Sequence, residues 1–271
     1  MHVPSYSPES VAEFAVGMIM TVVRKYHKSY LRVREGNFLL DGLLGFNLKD
    51  KTVGIVGTGR IGLLTGRILA KGFGCNVIAY DMYPNDRAGE YGISYVDSLE
   101  DLLAQADIIS LHCPLTDGTR YMLNDRTLSK TKKGVILINT SRGALIDTHA
   151  LIRYVSSTSP ASLGCPNIEY RALKTGHLGA VALDVYEGEA SYFFADSSSK
   201  IIQDDNIARL LTFYNVFIRY SFTFPSPSLL YRILTTVKWP PSLPHPRGAE
   251  GNCRDYHQEL AGSREGGEVR E

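Results

Sequence analysis

The sequence predicts an α/β fold in which a doubly wound parallel sheet carries helices on both faces. Three observations predict it. Short apolar runs alternate with amphipathic segments from Lys51 onward, a glycine-rich turn joins the first run to the helix behind it, and an acidic residue ends the next run.

Ahead of the sheet, Ser7, Pro8, Glu9 and Ser10 read as an N-cap, a first-turn proline and an acidic first turn, predicting a helix that runs to about Tyr30. Val11, Ala15, Met18, Val22 and Tyr26 recur along it at helical spacing, the mark of a core-facing stripe. The strands follow as TVGIVG, NVIAYD, DIISLHC and VILINT, with helices from the glycine turn to Lys71 and from Ser98 to Ala106. GAVALDV and NVFI add two further buried-strand candidates. Two segments break the rhythm. Residues 154–171 carry two prolines and a serine cluster, interrupt what reads as one helix, and are expected to form an irregular insert. From Arg219 the chain turns proline-rich and then charged, so 219–271 is expected to be a disordered or non-native tail.

Composition narrows the function. With 44% hydrophobic residues, 21% charged and a formal net charge of +1, the chain has an ordinary globular make-up and no electrostatic drive toward nucleic acid or an anionic membrane. Cys75, Cys113, Cys165 and Cys253 lie far apart without a CxxC pair, so neither a metal site nor a disulfide framework is indicated, and a reducing, cytoplasmic setting is expected. The apolar stretch from Val11 to Val23 is interrupted by Glu13 and is too short to span a bilayer.

The chemistry concentrates in GTGRIG. Gly57 permits the tight turn after the strand, Gly59 lets backbone N–H groups approach a pyrophosphate, and Gly62 lets the helix pack on the strand. Asp81 ends the next strand, about 20 residues on, where an acid holds the ribose diol of a dinucleotide. A carboxylate there accepts from two hydroxyls and repels a 2′-phosphate, so NAD is expected over NADP. Together these features define a Rossmann NAD-binding domain over 51–218.

VPSYSPESVAEFAVGMIMT, GIVGTGRIG, DIISLHCPLT, INTSRGALID and ALDVYEGE, in this order, resemble the D-isomer-specific 2-hydroxyacid dehydrogenase family, and DVYEGEASYFF followed by IIQDD is most similar to its D-lactate dehydrogenases. The resemblance implies that Arg142 binds the substrate carboxylate and polarises its ketone, a task suited to a planar guanidinium fork. It implies that Glu189 pairs with a catalytic histidine and raises its pKa. It places Asp184 near the nicotinamide carboxamide, Arg60 and Ile61 at the pyrophosphate, Cys113 and Pro114 on the adenosine side, and Thr140 and Ser141 by the nicotinamide ribose. The reaction implied is hydride transfer between NADH and a small 2-oxoacid such as pyruvate. Residues 1–50 become helices that bridge domains and pack across a homodimer.

The chain also departs from the pattern. No histidine follows NVFI, where the resemblance expects a Gly-His-Gln segment; Arg219, Tyr220 and Ser221 stand there instead. His112, His149, His177 and His245 read as core or surface residues. Most of the substrate domain expected ahead of VPSYSP is lacking. The codons for Lys238 to Glu250, read one nucleotide later, allow that Gly-His-Gln segment, and both irregular segments begin with Arg-Tyr, whose codons allow a splice donor. Two retained introns are the reading, and the expectation is an intact cofactor site in a catalytically inactive chain. The alternatives are a dehydrogenase for another 2-oxoacid and a non-enzymatic NAD-sensing binding protein.

Overall fold

The computed structural model describes residues 7–155, 177–188 and 202–219. In chain order they form α1 (Pro8–Val23), α2 (Tyr26–Arg34), β1 (Thr52–Val56), α3 (Arg60–Arg67), β2 (Asn76–Tyr80), β3 (Ile93–Tyr95), α4 (Leu99–Gln105), β4 (Ile108–Leu111), α5 (Asp125–Leu128), β5 (Val135–Asn139), α6 (Thr148–Tyr154), β6 (Leu178–Leu183), α7 (Asp205–Thr212) and β7 (Val216–Ile218). The strands make one sheet in the order β3-β2-β1-β4-β5-β6-β7, and every neighbouring pair is parallel. The doubly wound α/β fold read from the sequence is the fold observed.

Alternation along the strands supplies two cores. Val53 and Ile55 of β1, Ile108 of β4, Ile136 and Ile138 of β5, and Ala180 and Ala182 of β6 face one side, where Val16, Ile19, Val22 and Val23 of α1 and Leu63 of α3 cover them. Their neighbours Val56, Ile109, Leu111, Val135, Leu137, Val181 and Leu183 face the other side, against Leu102 and Leu103 of α4, Ala150 and Leu151 of α6, and Leu210 of α7. With both faces covered, the strands have no polar alternation to show, which is why they read as unbroken apolar runs.

The helix expected to reach Tyr30 is two helices. Seven residues of α1 are buried, but the stripe stops at Val23, and α2 buries only Lys28. With no apolar face left to hold the chain on the sheet, Lys25 takes a left-handed turn at φ 58°, and its carbonyl accepts from Lys28 and Ser29 to start α2 on a new axis. The other helical expectations hold closely. Ser98 caps α4 by accepting from Asp101 N, and the helix after the glycine turn continues past Arg67 as a π-turn, Ile68–Gly72. The three-residue β3 was not expected from sequence, being too short to show a period.

Tyr154 and Val155 belong to the domain rather than to an irregular insert. Tyr154 completes α6, its ring meets His177 edge-on at 5.5 Å, and Val155 is buried. The remainder of that insert, 156–171, and the tail beyond Arg219 lie outside the described residues. The β7 candidate is a strand, though half-buried at the sheet edge rather than fully buried. Among the described residues no helix is long and apolar enough to cross a membrane.

Candidate dinucleotide and substrate site

In an open parallel sheet, ligands meet the C-terminal strand ends where the order reverses. Here that point lies beside β1, whose neighbours are β2 on one side and β4 on the other. Gly57 ends β1 with φ +97°, and a Cβ on it would lie 2.6 Å from the Cys113 nitrogen. A Cβ on Gly62 would lie 1.9 Å from the Gly57 carbonyl oxygen. Both positions are closed to any side chain. Gly59 differs, because its Cβ would meet nothing within 4 Å. It is the N-cap of α3 and offers no side-chain acceptor, so the first N–H groups of that helix, from Arg60 and Ile61 onward, are left for a ligand in this open space.

Asp81 stands at the end of β2 and is tied back to the turn. One carboxylate oxygen accepts from the Thr58 N–H at 2.5 Å and the Thr58 hydroxyl at 3.0 Å, and the other from the Tyr83 N–H at 2.9 Å. On the β4 side, Cys113 is buried with its sulfur 3.6 Å from that of Met122, and burial pushes its thiol up to about 11, so it is a packing residue and not a nucleophile. Pro114 opens the turn that follows, where its carbonyl accepts from the Thr119 hydroxyl at 2.7 Å.

The second half of the site gathers around Asn139, the fully buried last residue of β5. Its carboxamide oxygen accepts from Ser141 N at 3.0 Å, its amide donates to the Arg142 carbonyl at 2.8 Å, and its backbone carbonyl accepts from Asp184 N at 2.9 Å. One side chain thus holds Thr140, Ser141 and Arg142 in a turn and sets it beside Asp184. The Thr140 hydroxyl oxygen is buried without a partner among the described residues. Arg142 is exposed, donates to the Ser141 carbonyl at 2.8 Å and makes no ion pair among the described residues. A Cβ on Gly143 would come within 2.3 Å of Glu187 N, so this turn lies directly on the Tyr186–Glu187 backbone. Glu187 accepts from the Tyr121 hydroxyl and pairs with Arg120 at 3.5 Å. Glu189 lies outside the described residues.

Sequence reasoning missed Asn139, although a lone amide ending the apolar run VILIN was a readable signal. It also missed Thr58, Tyr95, Tyr121 and Glu187, whose roles depend on partners far away in the chain.

A glycine turn at the switch point of a parallel sheet, an open helix N-terminus, a sugar-side carboxylate and an orphaned hydroxyl by a second turn fit a nicotinamide dinucleotide, and define the NAD-binding domain of an oxidoreductase. The comparisons agree. Residues 16–165 match the model for "D-isomer specific 2-hydroxyacid dehydrogenase, NAD binding domain", and the chain belongs to that family. A D-lactate dehydrogenase of Curvularia clavata is 53% identical over 217 residues, covering 80% of this chain and 56% of that protein. The solved pyruvate reductase of Chlamydomonas reinhardtii superposes with a TM-score of 0.71 at 43% identity, over 86% of this chain and 65% of that one. The Aquifex aeolicus D-lactate dehydrogenase, solved with NAD and lactic acid, gives 0.68 at 34% identity over 86% and 65%. The chain therefore spans less than two thirds of the length of these relatives.

The glycines separate binding from folding. Gly59→Ala should leave thermal unfolding unchanged, since its methyl meets no protein atom, yet weaken NADH binding at least tenfold in a fluorescence titration. Gly62→Ala should lower stability as well, by the ~1–3 kcal/mol typical of overpacking.

His112, beside the same turn, gives a pH signature. Its Nε2 lies 2.9 Å from the Ser110 hydroxyl, and burial pushes the imidazole down from 6.5 to about 4. The folded state favours the neutral ring, so the unfolded chain takes up the proton first as pH falls. The contribution to stability is then complete above pH 6.5 and drains away toward pH 4. The urea midpoint of the native chain should fall through this window more steeply than that of His112→Gln; parallel curves would refute the assignment.

Proposed function

We propose that this chain is the cofactor-binding portion of a reductase that converts pyruvate and NADH to D-lactate. The observation that carries the reading is Arg142: an exposed guanidinium without an acidic partner among the described residues, held by Asn139 beside the dinucleotide groove. Its two parallel N–H donors suit the carboxylate and ketone of a 2-oxoacid. The bound cofactor supplies the hydride. Ser141 and the unpartnered Thr140 hydroxyl serve the nicotinamide-ribose side, Asp184 the carboxamide, and Arg60, Ile61, Cys113 and Pro114 frame the phosphate and adenosine sides. Glu189 is assigned as the acid that would support a general-acid histidine.

None of the four described histidines suits that acid role. His112 is neutral near pH 7 for the reason given above. His149 is exposed on α6, and His177 bonds to the Thr131 hydroxyl at 2.8 Å just ahead of β6, at the N-terminal end of the strand and away from the C-terminal strand ends. His27 packs at a tilt against Phe217 with the ring centres 4.9 Å apart, and burial holds its imidazole below the usual range. A positioned general acid contributes ~10²- to 10⁴-fold to rate.

Two measurements check this reading. The 271-residue polypeptide should bind NADH more tightly than NADPH, with the difference narrowed by Asp81→Ala, and should reduce no pyruvate at a measurable rate. Turnover at an ordinary enzymatic rate, abolished by Arg142→Ala, would show that one of the present histidines reaches the site.

The partner surface follows from exposure. Tyr30, Leu31, Phe38, Leu40 and Leu44 lie within 15 consecutive positions and are 55–91% exposed, too much apolar surface to leave in water. A second copy of the chain is the proposed cover. Sedimentation should report a dimer for the native chain and a shift toward monomer for Leu31→Glu combined with Leu40→Glu.

A further inference from the structure

A line of hydrogen bonds crosses the sugar side of the site and ends on Asp81. The Asn85 N–H lies 2.7 Å from the Tyr95 phenol oxygen. An amide N–H can only donate, so the phenol accepts there and its own proton must go elsewhere. The Thr58 hydroxyl oxygen stands 2.7 Å away, against 3.5 Å for the competing Asn85 carbonyl. Thr58 accepts that proton and passes its own to Asp81 at 3.0 Å, where a carboxylate can only accept. The direction is set at both ends, and each bond polarises the next.

Three donors therefore hold Asp81: the Thr58 and Tyr83 N–H groups and the Thr58 hydroxyl. A carboxylate has about four acceptor positions, so roughly one stays open. Two of the donors are backbone and cannot leave. The Thr58 hydroxyl can rotate, and its oxygen keeps Tyr95 as a donor when it does.

We propose that Tyr95 is a specificity-determining positioning residue, acting through Thr58 to aim the Asp81 carboxylate at the adenosine ribose and to let a ribose hydroxyl replace the Thr58 hydroxyl on it. This rests on the NADH preference assigned above to Asp81. A ribose with free 2′ and 3′ hydroxyls brings two donors, one for the open position and one for the position that Thr58 vacates. A 2′-phosphate brings acceptors and negative charge to a carboxylate that its backbone donors prevent from turning away. The short β3, paired through Tyr95 with Ala79 of β2, is what delivers the phenol to this place.

The test compares NADH and NADPH dissociation constants, by fluorescence titration, for the native chain, Tyr95→Phe, Thr58→Val and Asp81→Asn. Tyr95→Phe keeps the ring and loses only the hydroxyl. It should weaken NADH about fivefold, the worth of one ordinary hydrogen bond, and leave NADPH unchanged, so that the preference narrows by the same factor. Thr58→Val should narrow it likewise, and serves alone if Tyr95→Phe does not fold. In an Asp81→Asn background, Tyr95→Phe should change the ratio no further. Equal native affinities would overturn the reading of Asp81 and this proposal with it. A native preference for NADH that survives both Tyr95→Phe and Thr58→Val, or a loss equal for both cofactors, would overturn the role of Tyr95 alone.

Discussion

The structure depends on a place where backbone meets backbone with no side chain between. At the end of β1 the Gly57 turn lies against the His112–Cys113 peptide, and the first turn of α3 lies against the Gly57 carbonyl. That contact sets the height of α3 over the sheet and the spacing of β1 and β4 at their C-terminal ends. It also determines where the open helix N-terminus points. A methyl group in either interface would have to push apart elements that are each packed into a core on their other side. Interiors at crystal-like density absorb such a shift poorly. The emptiness around Gly59 is the complement of this crowding: it is the only glycine of the three whose Cβ direction is free.

The other half of the site is held differently. At the C-terminal ends of β5 and β6 the joining is done by Asn139, buried and bonded through its carboxamide oxygen, its amide and its backbone. A polar side chain in a dry place costs free energy unless its groups are paired, and pairing them obliges the chain to turn through Thr140, Ser141 and Arg142. Around that turn, Gly143 permits contact with Tyr186 and Glu187, while Tyr121, itself at φ 50°, reaches Glu187 from the far side. Beside β1 the glycines supply excluded volume and Asp81 is held by hydrogen bonds, whereas the turn after β5 is set first by the hydrogen bonds of Asn139.

This difference explains what could be read from the sequence. Excluded volume leaves a local signature, because only glycine fits and the spacing of Gly57, Gly59 and Gly62 is visible in six residues. The strands were legible for a similar reason, since burial on both faces demands consecutive apolar residues. Hydrogen-bonded arrangements leave no such trace: Tyr95 and Thr58 are 37 positions apart, and Tyr121 and Glu187 are 66 apart. The break at Lys25 was hidden because Tyr26 falls on the helical stripe, yet in the structure Tyr26 is 54% exposed on α2. Periodicity reports which residues could share a face, not whether a sheet lies beneath them. Tyr154 and Val155 show the converse: placed in an irregular segment by its composition, they complete and cap α6 and pack on the core that α6 covers.

The two halves also differ in how much of the chain they require. The glycine turn, Thr58, Asp81, Tyr95 and Cys113 all fall between residues 57 and 113, one continuous stretch whose strands pair with each other. The other half draws on three separated stretches, around Tyr121, Asn139 to Gly143 and Asp184 to Gly188. Loop closure among separated stretches costs entropy that a continuous unit does not incur, so this second half is the more sensitive to changes in the segments that connect its stretches. Hydride transfer needs both sides held to within fractions of an ångström, and positioning of that kind contributes ~7–11 kcal/mol in well-oriented reactions. The two ends of the groove are therefore held independently, one within a continuous stretch and the other by contacts between separated ones.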